Sequence, residues 1–216
     1  MTKSWHSVIG VCMVRQRHPA EMGEQAGARG VTGKGHERRL QILDAATQQL
    51  IEAGYAGFST RQVAERLGLR LSNVQYYFPT RDALLEALLA GVLADALAEF
   101  GRHPADHDLV TLVRFVLAGQ TPHACRLFLE LWALAARDPG ARSAMDRFYL
   151  TYRKEIERAV AKVAPGIGGA ERTRRAALIM ALLEGVSLFR HPGGAASPGM
   201  DTAITEAVQR IACEPA

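Results

Sequence analysis

The sequence predicts an all-α protein of nine helices, a three-helix head followed by a larger helical body. Three observations lead there. The 216 residues include 59 Ala and Leu against 22 Ile and Val. Ala and Leu fit helices at little cost, whereas β-branched residues suit strands. Apolar residues recur at helical spacing through long segments, and the breaks between those segments fall at Gly and Pro. No internal repeat and no convincing strand interrupts the pattern.

Residues 1–34 show no sustained period and are rich in Gly, so they are expected to form a flexible leader. A phosphate loop fails there, with Ala28 where its first Gly belongs and Gly35 where Ser or Thr belongs. From Glu37 the pattern turns helical. Leu40, Leu43, Ala46, Leu50 and Ile51 share a face, and Gly54 is the stop. Ser59 with Gln62 reads as a capping box, with Phe58 and Val63 as its hydrophobic staple. The helix it opens should run from Thr60 to Leu67 and end at Gly68, and a third should span Leu71 to Phe78 before Pro79.

Thr80 caps a long fourth helix. Its residues Leu84, Leu85, Leu88, Leu89, Val92, Leu93, Leu97 and Phe100 cover more than one face, which requires burial on two sides. Further helices are expected at about 107–118, 122–137, 140–163, 170–190 and 200–212, separated by Gly119 to Pro122, Pro139–Gly140, Pro165 to Gly169 and the loop from His191 to Pro198.

Composition and charge narrow the function. With 48% apolar and 22% charged residues, the chain is that of a folded protein. No uninterrupted apolar stretch approaches the ~18 residues of a membrane span, and Val8–Val14 lacks the flanks of a secretory signal. Cys12, Cys125 and Cys213 are scattered, with no metal-ligand or disulfide spacing, which points to a reducing cytoplasm. Residues 1–85 hold 11 Lys/Arg against 7 Asp/Glu, while the remainder holds 15 of each. The net charge of +4 therefore sits entirely in the front of the chain, as in an anion-facing head on a neutral body.

Phe58–Phe78 carries the most specific signal. Two short helices joined at Gly68 have the layout of a helix-turn-helix, whose second helix enters the DNA major groove. Thr60 and Arg61 sit at a helix N-terminus, which favours a phosphate. Ser72, Asn73 and Gln75 are polar groups able to reach base edges. Tyr76 and Tyr77 carry hydroxyls suited to phosphate oxygens, and Arg81 adds a charge at the next helix start. Val63, Ala64, Leu67, Leu69, Val74 and Phe78 supply the small core.

At these residues the sequence resembles the TetR family of bacterial transcriptional regulators. The matching stretch, Ile42 to Leu89, reads ILDAATQQLIEAGYAGFSTRQVAERLGLRLSNVQYYFPTRDALLEALL. It keeps the family's order of an apolar first helix, Gly-Tyr, a Ser-capped helix with Val-Ala, the turn Gly, and an aromatic pair ending in Phe. LFLELWALAARDP (Leu127–Pro139) is similar to a stretch of some TetR-like C-terminal domains. Arg70 departs from the family by replacing the usual Ser or Thr cap, and is a candidate extra contact. Leu71, Gln75 and Tyr77 also differ from the common residues, which bears on the operator sequence rather than on DNA binding. Ser72 with Gln75 could then form a second capping box, starting the helix slightly later.

The resemblance implies a helix-turn-helix domain over 35–82 and a ligand-binding and dimerisation domain over 83–216. It implies a cytoplasmic, nucleoid-associated homodimer that reads a palindromic operator in double-stranded DNA. A small-molecule effector would release a repressor of this kind, with Thr80–Phe100 as the lever; an activator, or a regulator without an inducer, is the alternative. Candidates for the effector pocket are Phe128, Trp132, Met145, Phe148, Tyr149, Tyr152 and Met180. Glu130 and Glu184 could meet a cationic ligand, but a salt bridge or a solvent-facing position is the simpler reading, and no ligand class follows. Candidates for the dimer interface are Leu178, Leu182, Val186, Phe189, Ile204, Ala207, Val208 and Ile211. Ordinary core packing competes with both sets.

No cofactor, metal, membrane contact or catalytic residue is expected. His103, Asp106, His107 and Asp108 crowd one loop, but a solvated connector is the simpler reading. Cys125 on an apolar helix reads as buried packing. Arg15, Arg17, Arg29, Lys34, Arg38 and Arg39 could form a minor-groove arm. A helical di-metal enzyme would need Glu-x-x-His, and that tetrapeptide does not occur.

Overall fold

The computed structural model describes residues 31–102, 108–190, 193–195 and 197–214. The leader at 1–30, Cys12, Arg15, Arg17, Arg29, His103, Asp106 and His107 lie outside the described residues. Within them the protein is all helical: α1 (Val31–Gly57), α2 (Thr60–Arg66), α3 (Leu71–Tyr77), α4 (Arg81–Arg102), α5 (Leu109–Gly119), α6 (Pro122–Ala135), α7 (Pro139–Val163), α8 (Gly169–Gly185), α9 (Ser187–Arg190) and α10 (Met200–Cys213). The nine expected helices are all there. The one expected at 170–190 carries a break at Val186, which leaves α9 as a separate turn. The first begins at Val31, inside the segment read as leader.

The chain divides into two compact units, with the boundary inside α4 between Val92 and Leu93. In the front unit α1 packs on α2 and α2 on α3. Gly54 (φ 67°) interrupts α1 and Gly68 (φ 64°) makes the turn between α2 and α3. Both hold the left-handed backbone that a side chain disfavours. Ile42, Ala46, Leu50, Ile51, Phe58, Val63, Ala64, Val74 and Phe78 are buried, as are Leu84, Leu85, Leu88 and Leu89 along α4. The side chain of Phe100 is not among those described.

Neither expected capping box forms. Ser59 makes no side-chain cap bond. Its backbone N–H donates instead to Gln49 Oε1 at 3.3 Å, and Gln49 Nε2 donates to Gln62 Oε1. A buried glutamine of α1 thus replaces the local cap with a bond between helices. Ser72 is the second residue of α3 and cannot cap it, because the helix already starts at Leu71 with Arg70 preceding it. The caps that do form are Thr80 to Ala83 N–H, Asp108 to Thr111 N–H, Thr121 to Ala124 N–H and Asp138 to Ala141 N–H. Asp108 therefore acts as a cap rather than a ligand. Pro122 and Pro139 stand in the first turns of their helices, where a missing N–H costs nothing.

In the second unit α7 packs on both α6 and α8, and α10 packs on α5 and α8. Arg175 fixes the last pairing. It is buried, its Nε donates to Glu171 at 2.7 Å, and its Nη1 donates to the Ala212 carbonyl at the end of α10 at 2.8 Å. Arg174 and Arg175 hold the Glu171 carboxyl down at about 2, so the acceptor stays ionised through the working pH range. Arg175→Leu is expected to cost about 1.5–3 kcal/mol, the range for hydrogen bonds to charged groups. Chemical denaturation would read this as a lower midpoint, and an unchanged midpoint would remove Arg175 from the account.

Candidate nucleic-acid interface and effector cavity

In the front unit, α3 turns Val74 inward and leaves Ser72, Asn73, Gln75 and Tyr76 exposed. Tyr76 is 82% exposed, far from what an aromatic ring prefers without a partner. Arg61 and Arg70 are exposed as well, and Thr60 is half-buried at the start of α2. Arg61 spends its charge only on an exposed pair with Glu65 at 3.2 Å, which is weak and easily exchanged. Tyr77 is half-buried, meets Tyr76 edge to face at 5.1 Å, and brings its hydroxyl close to Gly35 of α1.

Arg81 has a structural task that its sequence position did not reveal. Its Nε donates to the Phe58 carbonyl at 3.1 Å and its Nη2 to the Tyr55 carbonyl at 2.6 Å. Its guanidinium lies over the Tyr55 ring at 4.4 Å. The side chain pins the first turn of α4 to the segment entering α2, leaving Nη1 toward exposed Asp82 at 3.8 Å. Of the expected arm, Lys34, Arg38 and Arg39 are exposed on α1, and Arg39 sits over Phe78 at 5.0 Å.

The second unit holds a cavity with about 370 Å³ of empty space, mouth included. It is lined by Val116, Gly119, Gln120, Ala124, Cys125, Phe128, Phe148, Tyr152, Glu184 and Ser187. Three of the seven expected pocket residues, Phe128, Phe148 and Tyr152, form its aromatic wall, with ring centroids 5.9 and 6.1 Å from Phe148. Trp132, Met145, Tyr149 and Met180 do not line it. Met145 is buried in the core.

Trp132 and Tyr149 reach the cavity indirectly. Trp132 Nε1 donates to the Tyr149 hydroxyl at 2.6 Å, which donates to Glu184 Oε2 at 3.1 Å. The lining residues missed in sequence, Gln120 and Ser187 above all, stand at helix breaks where a polar residue carries no periodic signal. Cys125 is buried as expected, and also faces the cavity. Burial lifts the Glu184 carboxyl to about 7, although the Tyr149 hydrogen bond opposes the rise. Burial likewise pushes Tyr152 well above its ordinary range and raises Cys125.

The expected dimer set divides. Val186, Ile204 and Val208 are buried within the protomer and belong to its own core, because α8 and α10 pack on each other there. Leu178 and Phe189 are 53% and 48% exposed, and Leu188 beside Phe189 is 54% exposed. Leu182, Ala207 and Ile211 are half-buried. Among the described residues no group of three or more His, Cys, Asp or Glu could hold a metal, and no helix is long and apolar enough to cross a membrane.

Comparison with known proteins places both units. The family model of bacterial regulatory proteins of the tetR family matches residues 42–88, and that of the BetI-type transcriptional repressor C-terminal domain matches 105–212. An HTH-type transcriptional regulator from the dhlA 5′ region of Xanthobacter autotrophicus is 31% identical, over 72% of this chain and 80% of that protein. The HTH-type transcriptional regulator BetI of Burkholderia thailandensis is 28% identical, over 70% of this chain and 80% of its own. A solved transcriptional regulator of Saccharomonospora viridis in complex with choline has the same fold, with a TM-score of 0.62 at 22% identity over 81% of this chain and 96% of that one.

The Glu184 shift makes a pH prediction. Its folded value, about 7, lies above the ordinary 4.5, so the folded state favours the protonated acid. That contribution is fully present below 4.5 and is lost as pH rises through 7. Glu184→Gln should leave the melting temperature unchanged near pH 4.5 and raise it by about 2–6 °C at pH 8. An equal difference at both pH values would show that Glu184 does not titrate in this way.

Proposed function

The chain belongs to the TetR family of bacterial regulatory proteins, and from that premise we propose that it is a homodimeric repressor released from a palindromic operator by a small-molecule effector. It is a transcriptional regulator and not an enzyme. The observation that carries the operator reading is the exposed row Ser72, Asn73, Gln75 and Tyr76 on α3, backed by buried Val74. A short helix that spends its one buried side chain on its own domain and leaves forked amides outside is suited to base edges. Arg61 at the start of α2, with Arg70, Tyr76 and Tyr77, supplies the phosphate contacts that set the register.

A single such unit covers one half-site. Two copies about 34–36 Å apart would read successive turns on one face of the duplex. The exposed Leu178, Leu188 and Phe189, with half-buried Leu182, Ala207 and Ile211, offer the apolar surface for that pairing. The cavity between α5, α6, α7 and α8 is the effector site, and α4 is the lever. An effector would release DNA by favouring a spacing that cannot span both half-sites.

DNA flanking the protein's own gene, titrated with the full chain by fluorescence anisotropy, tests the reading. Affinity should fall steeply with salt, by about 10³–10⁵ between 50 and 200 mM if ~6–10 phosphates are contacted. Asn73→Ala or Gln75→Ala should relax preference at single base pairs by about 1–3 kcal/mol. Tyr77→Phe should instead weaken all duplexes alike. Equal loss on every duplex from the Asn73 and Gln75 changes would contradict base reading by α3.

A further inference from the structure

We propose that the cavity receives a small organic cation bearing N–H donors, an alkylammonium or an amidinium, held between the Gln120 side-chain oxygen and the Glu184 carboxylate. This rests on the reading of the second unit as an effector domain and narrows it to a ligand class. Gln120 fixes the first half. Its Nε2 donates to the Leu183 carbonyl at 2.7 Å, and a carbonyl can only accept, so the amide cannot be turned round. Its Oε1 is consequently the atom left buried, with no hydrogen-bond partner in the protein. A buried acceptor in that state calls for a donor from outside.

Glu184 supplies the other half. The chain from Trp132 through Tyr149 runs in one direction, N–H to oxygen and O–H to carboxylate. It delivers one donor, the Tyr149 O–H, to one carboxylate oxygen and leaves acceptor capacity on a group that is costly to bury charged. No Lys, Arg or His lines the cavity to neutralise it, while the faces of Phe128, Phe148 and Tyr152 favour a cation. An anion would meet the carboxylate, and a neutral apolar ligand would leave both acceptors unanswered. A quaternary ammonium would answer the charge but has no N–H for Gln120.

Calorimetric titration of the full chain with four probes separates these cases: n-butylammonium, acetamidinium, n-butyltrimethylammonium and butyrate. The two N–H cations should bind, n-butylammonium about tenfold tighter than its trimethylated counterpart, with butyrate undetected. Gln120→Met should bring the n-butylammonium to n-butyltrimethylammonium ratio to about one, and Glu184→Gln should weaken both. Tighter binding of the quaternary ion, a preference for butyrate, or no binding of either N–H cation would overturn the proposal. These outcomes come from the unaltered chain, so they stand even if a variant fails to fold. Loss of operator binding would instead strike the regulator reading and leave the calorimetry untouched.

Discussion

The DNA-reading head depends on the grip of one guanidinium. Two helices as short as α2 and α3, seven residues each, have too few internal hydrogen bonds to persist alone. Their stability has to come from what they are fastened to. Arg81 fastens the start of α4 to the segment entering α2, through the carbonyls of Tyr55 and Phe58, and Gln49 fastens that same entry to α1, through Ser59 and Gln62. Arg66 adds an ion pair to Glu52 across α1 and α2. Because Arg81 is the first residue of α4, the start of α4 and the entry to α2 are held by the same side chain. Any movement of that turn must be passed to the head or must break two charge-assisted bonds.

The cavity is the converse case, a place where polar groups are gathered without being fully satisfied. Elsewhere in the second unit polar side chains hold helices together, as Arg175 does at the end of α10 and Arg190 does at the Leu117 carbonyl. Gln120 and Glu184 are only half spent in that way. Natural interiors seldom tolerate an open acceptor without a use for it. The same desolvation that lifts Glu184 to about 7 would strengthen its attraction to a cation once water is excluded.

The sequence revealed elements better than it revealed tertiary bonds. Helix bounds were legible because Gly54, Gly68, Pro79, Pro122 and Pro139 act on the backbone locally, whatever surrounds them. The exposed row on α3 was legible too, since Val74 alone among its central residues is apolar. Capping was misread at Ser59 because the competing acceptor, Gln49, lies ten residues away and arrives only when α1 packs. The bonds of Arg81 were not legible, because a cation at a helix start carries no mark of which carbonyls lie within reach. The same holds for Val186, Ile204 and Val208, whose helical stripe reads alike whether it meets its own protomer or another. Glu184 was noticeable as a carboxylate in apolar surroundings, whereas Gln120, in a Gly-Gln-Thr-Pro break, looked like a loop residue.

The break in α8 is where these threads meet. The Leu183 carbonyl accepts both the Val186 N–H, a tight turn bond at 3.3 Å, and Gln120 Nε2 from the end of α5. In return, Arg190 of α9 donates to the Leu117 carbonyl of α5 at 2.6 Å and pairs with Asp201 of α10. The end of α5 and the α8–α9 corner are thus locked by two reciprocal side-chain bonds, one of them made by a residue that also lines the cavity. A ligand can shift a conformational equilibrium only through contacts that differ between the two states. A donor drawn to Gln120 Oε1 acts on the one amide whose other end holds α8, and α8 carries exposed Leu178 while α9 carries Leu188 and Phe189. Under the proposed reading, a ligand in the cavity and the exposed Leu178, Leu188 and Phe189 would be linked through a single side chain, Gln120, with no need for a longer relay.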